Sequence, residues 1–177
     1  MKYDLIINVH PKDTIKLKHC IESINSNFSL LPENKYIVSP ENIQVDGFIT
    51  VSDEDALPIC KESINNARPN WIFQQLVKLG QNFTKNDLYL AVDSDVIFNN
   101  KIDIGKYFYI SSRDQHHIPY FNLMKIMGIE KGVNYSFIND FMMFDRKICK
   151  EIINDSIKNF ASWLNEHMSD DCYLSEF

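Results

Sequence analysis

Leu88-Tyr89-Leu90-Ala91-Val92-Asp93-Ser94-Asp95 carries the fold assignment. A short apolar run with turn residues before it (84–87) and two carboxylates after it reads as a buried strand, because a helix would need a longer amphipathic pattern. In open α/β sheets, ligands bind outside the carboxyl ends of the strands, which is where Asp93 and Asp95 stand. Two carboxylates one residue apart offer hard oxygen ligands to a divalent cation, Mn²⁺ or Mg²⁺, whose other positions go to water and phosphate oxygens. The plain alternative is an Asp-rich turn in which Asp95 serves as a cap.

The segments on either side repeat the strand-helix alternation. Pro69 is placed as a first-turn residue for a helix over 70–81, and Leu5-Ile6-Ile7-Asn8-Val9 reads as a first central strand stopped by His10-Pro11. Asp13 or Thr14 caps a second helix with Ile15, Leu17, Ile21 and Ile24 at helical spacing, and 25–34 holds turn residues. Tyr36-Ile37-Val38-Ser39-Pro40 and Phe48-Ile49-Thr50-Val51-Ser52 are two more strands, the latter closed by an acidic loop, Asp53-Glu54-Asp55. Further strands are expected at 107–112 and 141–144 and a helix over 146–167. The pattern predicts an α/β/α sandwich around a mostly parallel sheet. With 177 residues and no repeat, linker or low-complexity tract, a single domain over 1–177 is expected.

Composition narrows the function. At 45% hydrophobic and 24% charged, the chain can bury enough apolar surface to order itself. A net charge of −6 and a pI near 5.3, with Arg only at Arg68, Arg113 and Arg146, argue against a surface built to neutralise nucleic acid. No apolar run reaches the roughly 18 to 20 residues of a membrane span, and Met1-Lys2-Tyr3-Asp4 is no secretory leader, so a cytoplasmic location is expected. Cys20, Cys60, Cys149 and Cys172 show neither a Cys-x-x-Cys pair nor zinc-site spacing and read as reduced, partly buried thiols. The Asn-x-Ser/Thr matches at Asn27, Asn82, Asn134 and Asn154 are what an Asn-rich chain yields by chance.

Polar residues recur at the predicted strand ends: Asn8 and His10, Ser39, Asp53, then Asp93 and Asp95. The glycines, Gly47, Gly80, Gly105, Gly128 and Gly132, form neither a Walker A loop nor a G-x-G-x-x-G fingerprint, so a metal must neutralise any bound diphosphate. On the helix after Pro69, Gln74, Gln75 and Lys78 make a narrow polar stripe in an otherwise apolar surface; either it is solvated or it lines a pocket.

Three blocks then carry a family resemblance: 68–79, from Arg68-Pro69-Asn70-Trp71 to Leu79; 89–98, around Asp93-Ser94-Asp95; and 137–146, Phe137-Ile138-Asn139-Asp140-Phe141-Met142-Met143-Phe144-Asp145-Arg146. In order and spacing they resemble the successive blocks of a GT-A type glycosyltransferase, and the DUF6492 group of glycosyltransferases in particular, over most of the chain. The resemblance implies a nucleotide-sugar domain in which Asp93 and Asp95 match the Asp-x-Asp metal motif, with Ser94 between them at the donor and Asp95 as the more direct ligand. It implies that Asn8 and His10 contact the nucleotide, that Asp53 faces the nucleobase, and that Arg68, Gln74, Gln75 and Lys78 line the donor pocket. Asn139 and Asp140 border the acceptor or the transferred sugar.

Sugar transfer needs a stabilised diphosphate leaving group, from the cation with Arg68 or Lys78, and either a general base or a retaining route; Asp140 and Glu176 are the candidate bases. The expected donor is a nucleotide-diphosphate sugar, with UDP-sugar favoured, and the acceptor a hydroxyl of a glycan, protein or small molecule. Members of the family continue past Ser175-Glu176-Phe177, and GT-A enzymes often take a third metal ligand, frequently His, from that region. The chain stops before supplying one, as a truncated form, a minimal form or an inactive relative would. His116, His117 or His167 substitute only if the fold brings one to Asp95. Two other readings stand: a haloacid-dehalogenase-like phosphohydrolase with Asp93 as nucleophile and Asp95 as acid/base, and an inactive nucleotide-binding or adaptor relative.

Overall fold

β1 (Asp4–Asn8) lies at the centre of a five-stranded sheet, with every residue buried. On one side it pairs in parallel with β2 (Asn34–Val38), which pairs in parallel with β3 (Ile49–Val51); on the other it pairs in parallel with β4 (Leu88–Asp93). β5 (Phe141–Asp145) closes the far edge antiparallel to β4, giving the order β3-β2-β1-β4-β5. This computed structural model describes residues 1–80, 82–105, 118–130, 132, 139–172 and 174. The strand expected over 107–112 lies outside the described residues.

Side-chain alternation along β1 sorts the core into two layers. Leu5, Ile7 and Val9 join Ile37, Leu90 and Val92 beneath α1 (Thr14–Asn27), which contributes Leu17, Cys20 and Ile24. Ile6, Tyr36, Val38 and Tyr89 face the other way, toward α3 (Pro69–Gly80), α5 (Arg146–Ile152) and α6 (Ile157–His167). α4 (Ile118–Ile126) adds Leu123 to that second layer, and Tyr120 stacks on Trp71 of α3 with centroids 5.8 Å apart. The expected α/β/α arrangement around a mostly parallel sheet is thus the observed one.

Some local expectations are corrected by the structure. Ile15 is 75% exposed, so the buried face of α1 runs through Leu17, Cys20, Ser23 and Ile24 instead. Asp53-Glu54-Asp55 is not a loop but the start of a one-turn helix, α2 (Asp53–Ala56); Ser52 Oγ accepts from Asp55 N at 3.1 Å, an N-cap that lets acidic residues fill the first turn. The helix expected over 146–167 breaks into α5 and α6 because Asn154 and Asp155 both take positive φ, at 48° and 54°, a conformation these residue types tolerate. Ser156 then caps the new helix by accepting from Asn159 N.

The last residue of α3 sits hard against the start of α6. A Cβ on Gly80 would lie 2.5 Å from both Cδ1 and Cγ1 of Ile157, a buried side chain. Overpacking of this kind costs about 1–3 kcal/mol, so Gly80→Ala is expected to lower the denaturant midpoint with an unchanged m value. An Ile157→Val background, which trims Cδ1, should recover part of the loss.

The thiols are free, with Cys20, Cys149 and Cys172 buried and Cys60 exposed. Burial, reinforced by the Asp95 and Asp93 charges, pushes the Cys20 thiol up to about 12. No helix among the described residues is long and apolar enough to cross a membrane.

Candidate active site at the carboxyl ends of the central strands

Register brings the site together. Asn8 ends β1 directly opposite Val38 on one side and Asp93 on the other. Alternation places Asn8, Val38 and Asp93 on the face covered by α3, since Ile6, Tyr36 and Tyr89 point there. Asn8 is 7% exposed, and neither Oδ1 nor Nδ2 of its amide has a hydrogen-bond partner among the described residues. A buried polar group left unpaired costs about 1–3 kcal/mol, which an apolar residue at this strand end would have avoided. The amide's donors and acceptor are therefore available to hydrogen-bond a group from outside the described residues. Asn8→Leu is expected to raise the denaturant midpoint while weakening ligand binding, opposite signs that a purely structural asparagine would not give.

Asn8 opens onto a cleft of about 90 Å³ whose walls include His10, Asp53, Lys61, Phe73 and Gln74. His10 does double duty, because its Nδ1 accepts from Lys12 N at 3.3 Å and so caps the 3₁₀ turn at Pro11–Asp13. Asp53 is held by Lys61, Nζ to Oδ2 at 2.6 Å, and the same ammonium stands 5.3 Å from the Phe73 ring centroid. Lys61 and Phe73 carried no signal of their own in the sequence. Lys61 reaches the cleft only because the 3₁₀ turn at Lys61–Ser63 folds back beside α2, whereas Phe73 looked like any apolar residue of α3.

The polar stripe on α3 is not a solvated face. Gln74 lines the cleft, while Gln75 and Lys78 are 4% and 5% exposed. Lys78 Nζ lies 3.4 Å from Asp93 Oδ1, and its backbone carbonyl accepts from Tyr89 Oη at 2.5 Å, so the helix is pinned to β4 next to Asp93-Ser94-Asp95. Arg68 is exposed just ahead of α3 and is not part of the described cleft wall. Ser94 is buried at 7% exposure, and the turn closes as Val96 N donates to Asp93 O at 3.2 Å.

Asp95 turns the other way. Its carboxylate is largely exposed and stands 3.7 Å from Lys16 Nζ on α1, which also binds Asp13 at 3.0 Å. Each carboxylate of the motif thus faces a lysine of a different helix. Asn139 and Asp140 lie beside the end of β4: Asp93 N donates to Asp140 O at 2.9 Å, and Asn139 Oδ1 accepts from Asp140 N at 3.0 Å. Glu176, His116 and His117 lie outside the described residues. His167 is engaged elsewhere, stacked on Trp163 at 4.4 Å, with Nδ1 donating to Trp163 O at 2.7 Å.

The donor set suits a hard cation in kind. Asp93 and Asp95 supply carboxylate oxygens at an open strand end, each now facing a lysine that an incoming cation would displace, and Mg²⁺-type ions are commonly held by one or two carboxylates with the rest from water and phosphate. Among the described residues no group of three or more His, Cys, Asp or Glu could hold a metal, so ligand oxygens would have to complete the shell.

No family model and no curated protein matches this chain. Solved structures do. The galactosyltransferase LgtC, in complex with donor and acceptor sugar analogues, superposes with a TM-score of 0.54 at 14% identity, over 97% of this chain and 73% of that one. The chain has the fold of a GT-A glycosyltransferase. An active-site mutant of LgtC superposes with a TM-score of 0.48 at 14% identity, covering 97% of this chain and 72% of that one. Glucosyl-3-phosphoglycerate synthase from Mycobacterium tuberculosis, with Mn²⁺, UDP and glucosyl-3-phosphoglycerate, has a TM-score of 0.48 at 12% identity over 99% and 72%.

Proposed function

We propose that this chain is a glycosyltransferase that uses Mn²⁺ or Mg²⁺ to transfer a sugar from a nucleotide-diphosphate donor, UDP-sugar being favoured, to a hydroxyl acceptor, with 1–177 acting as one nucleotide-sugar-binding domain. The observation that carries the reading is the unpartnered, buried Asn8 amide set in register with Asp93 at the carboxyl ends of β1 and β4, in a GT-A fold.

On this reading the nucleoside end of the donor enters the cleft, where the Asn8 amide offers one donor and one acceptor and Phe73 offers an apolar wall. Asp53, already neutralised by Lys61, orients rather than repels it. The diphosphate lies toward Asp93, Ser94 and Asp95, and the two carboxylates would hold the cation, which supplies charge neutralisation for the departing diphosphate. Lys78, buried and preorganised beside Asp93, adds a positive charge that needs no reorganisation when negative charge develops on the leaving group. Asp140, joined to Asp93 through its backbone, is the candidate base for the acceptor hydroxyl, with Glu176 as the second candidate. In the phosphohydrolase alternative Asp-x-Asp closes a first strand; here it closes β4.

The test is release of nucleoside diphosphate from a panel of nucleotide sugars with Mn²⁺, with and without added monosaccharide acceptors. Turnover of one donor, abolished by chelation, is the expected result. A folded chain that binds a nucleotide but turns over no donor would favour the adaptor reading.

A further inference from the structure

A second cavity lies on the same face of the sheet but at its opposite end. It measures about 350 Å³ and is walled by Arg146 and Lys150 of α5, Lys158 and Ser156 at the start of α6, Asp155 before it, and Asn82. Arg146 follows β5 directly and is bound to the turn that precedes β4: its N donates to Asp87 O, and its Nη2 donates to Thr84 O and Asn86 O, each at 2.7 Å, as well as to Thr84 Oγ1. The length of β4 therefore separates it from Asp93, roughly 17 Å at about 3.3 Å per residue.

The charge of this cavity runs against the chain's overall balance. The chain carries 24 acidic against 18 basic residues, yet here three cations face one carboxylate, Asp155. Neither Lys150 nor Lys158 is paired with a carboxylate among the described residues. Arg146, by contrast, is fixed by its carbonyl bonds, so its planar charge is held in place before any ligand arrives. α6 begins at the same place, and the first-turn N–H groups of Ile157 and Lys158 have no carbonyl four residues back within the helix. A concave wall of cations is the arrangement that concentrates an anion, and the volume exceeds what a bare oxyanion fills.

We propose that this cavity is a second ligand site, separate from the donor cleft, that binds a small phosphomonoester: the phosphate against Arg146, Lys150 and Lys158, and the organic part toward Asn82 and the end of α3. The test titrates inorganic phosphate and glucose 6-phosphate separately into the full chain by calorimetry at about 150 mM salt, where loose surface attraction is screened. The expected result is saturable binding of both, tighter for glucose 6-phosphate, and weakened about tenfold or more for each in the Lys150→Gln/Lys158→Gln variant, since both charge-assisted contacts to the phosphate are lost. Both substitutions are at exposed positions, so the variant should fold, as circular dichroism would verify. Absence of saturable binding by either probe, binding of inorganic phosphate with glucose 6-phosphate excluded, or equal affinity in the folded double variant would each overturn the proposal.

Discussion

Asp93→Asn is expected to lower sugar transfer by about 10²- to 10³-fold or more, the usual loss when one preorganised electrostatic group is removed from a transfer site. The substitution keeps the shape and one acceptor oxygen for the neighbouring donors but removes the charge that would hold a cation, and it leaves the Lys78 ammonium, 5% exposed, without the carboxylate 3.4 Å away. Removing one member of a fully buried pair costs about 3–5 kcal/mol; here Asp93 is partly open to solvent and Asn still accepts a hydrogen bond, so a smaller stability loss is expected. The two effects separate in Asp93→Asn/Lys78→Met. That variant should regain the stability lost to the stranded charge and none of the activity. Recovery of activity in it would show that the carboxylate serves only to neutralise the lysine. The readouts are urea unfolding for the first effect and donor turnover for the second.

The largest stability effect is expected at the other end of the sheet, at Asp4. This carboxylate is 0% exposed and accepts four hydrogen bonds: from Asn34 Nδ2 at 2.7 Å, Asn86 Nδ2 at 2.7 Å, Lys85 N at 2.6 Å and Asn86 N at 2.9 Å. It thereby ties the starts of β2 and β4 to β1. Asp4→Asn turns an acceptor oxygen into a donor facing donors, and a lost bond to a charged group with a stranded partner amounts to about 3 kcal/mol. For a chain of this size that is roughly a 6–12 °C fall in Tm. The pH dependence has a definite sign. Burial pushes the Asp4 carboxyl up, but the bonds from Asn34, Asn86 and Lys85 together outweigh it and hold it below its ordinary value of 3.8. A carboxyl depressed in the folded state binds its proton more weakly there than when unfolded, so its contribution is present above the ordinary value and is lost as the pH falls through the lowered one. The midpoint difference between wild type and Asp4→Asn should therefore be full near neutrality and shrink only in the acid limb.

Much of the fold was legible in the chain, for definite reasons. β1, β2 and β4 are short apolar runs bounded by turn residues, and Pro69 marks the start of α3 because it lacks the N–H that a first turn does not use. The antiparallel direction of β5 was not legible, since a strand's residues look the same whichever way it runs. The break between α5 and α6 was hidden beneath an apolar pattern that continues through Ile153 and Ile157, although Asn154-Asp155-Ser156 carried the signal of a positive-φ stop followed by an N-cap.

The candidate site divides in the same manner. Asn8, His10, Asp93 and Asp95 could be named because they end strands, and strand ends are where this architecture binds. That Asp95 turns to Lys16 and Asp93 to Lys78 depends on which helix covers each face, and that Lys61 holds Asp53 depends on a turn folding back. Neither is a property of local sequence. The Asp4 network escaped notice because a lone Asp at a strand's start ordinarily faces water.

The central claim, that the carboxyl ends of β1 and β4 form a metal-assisted nucleotide-diphosphate site, is tested most directly by calorimetric titration of UDP, GDP and CDP into the chain with and without Mn²⁺, repeated on Asp95→Asn. The expected result is that one nucleotide binds, UDP foremost, that binding strengthens at least about tenfold with Mn²⁺, and that Asp95→Asn removes the Mn²⁺ dependence while the protein stays folded. A folded wild-type chain that binds none of the three in either condition would contradict it.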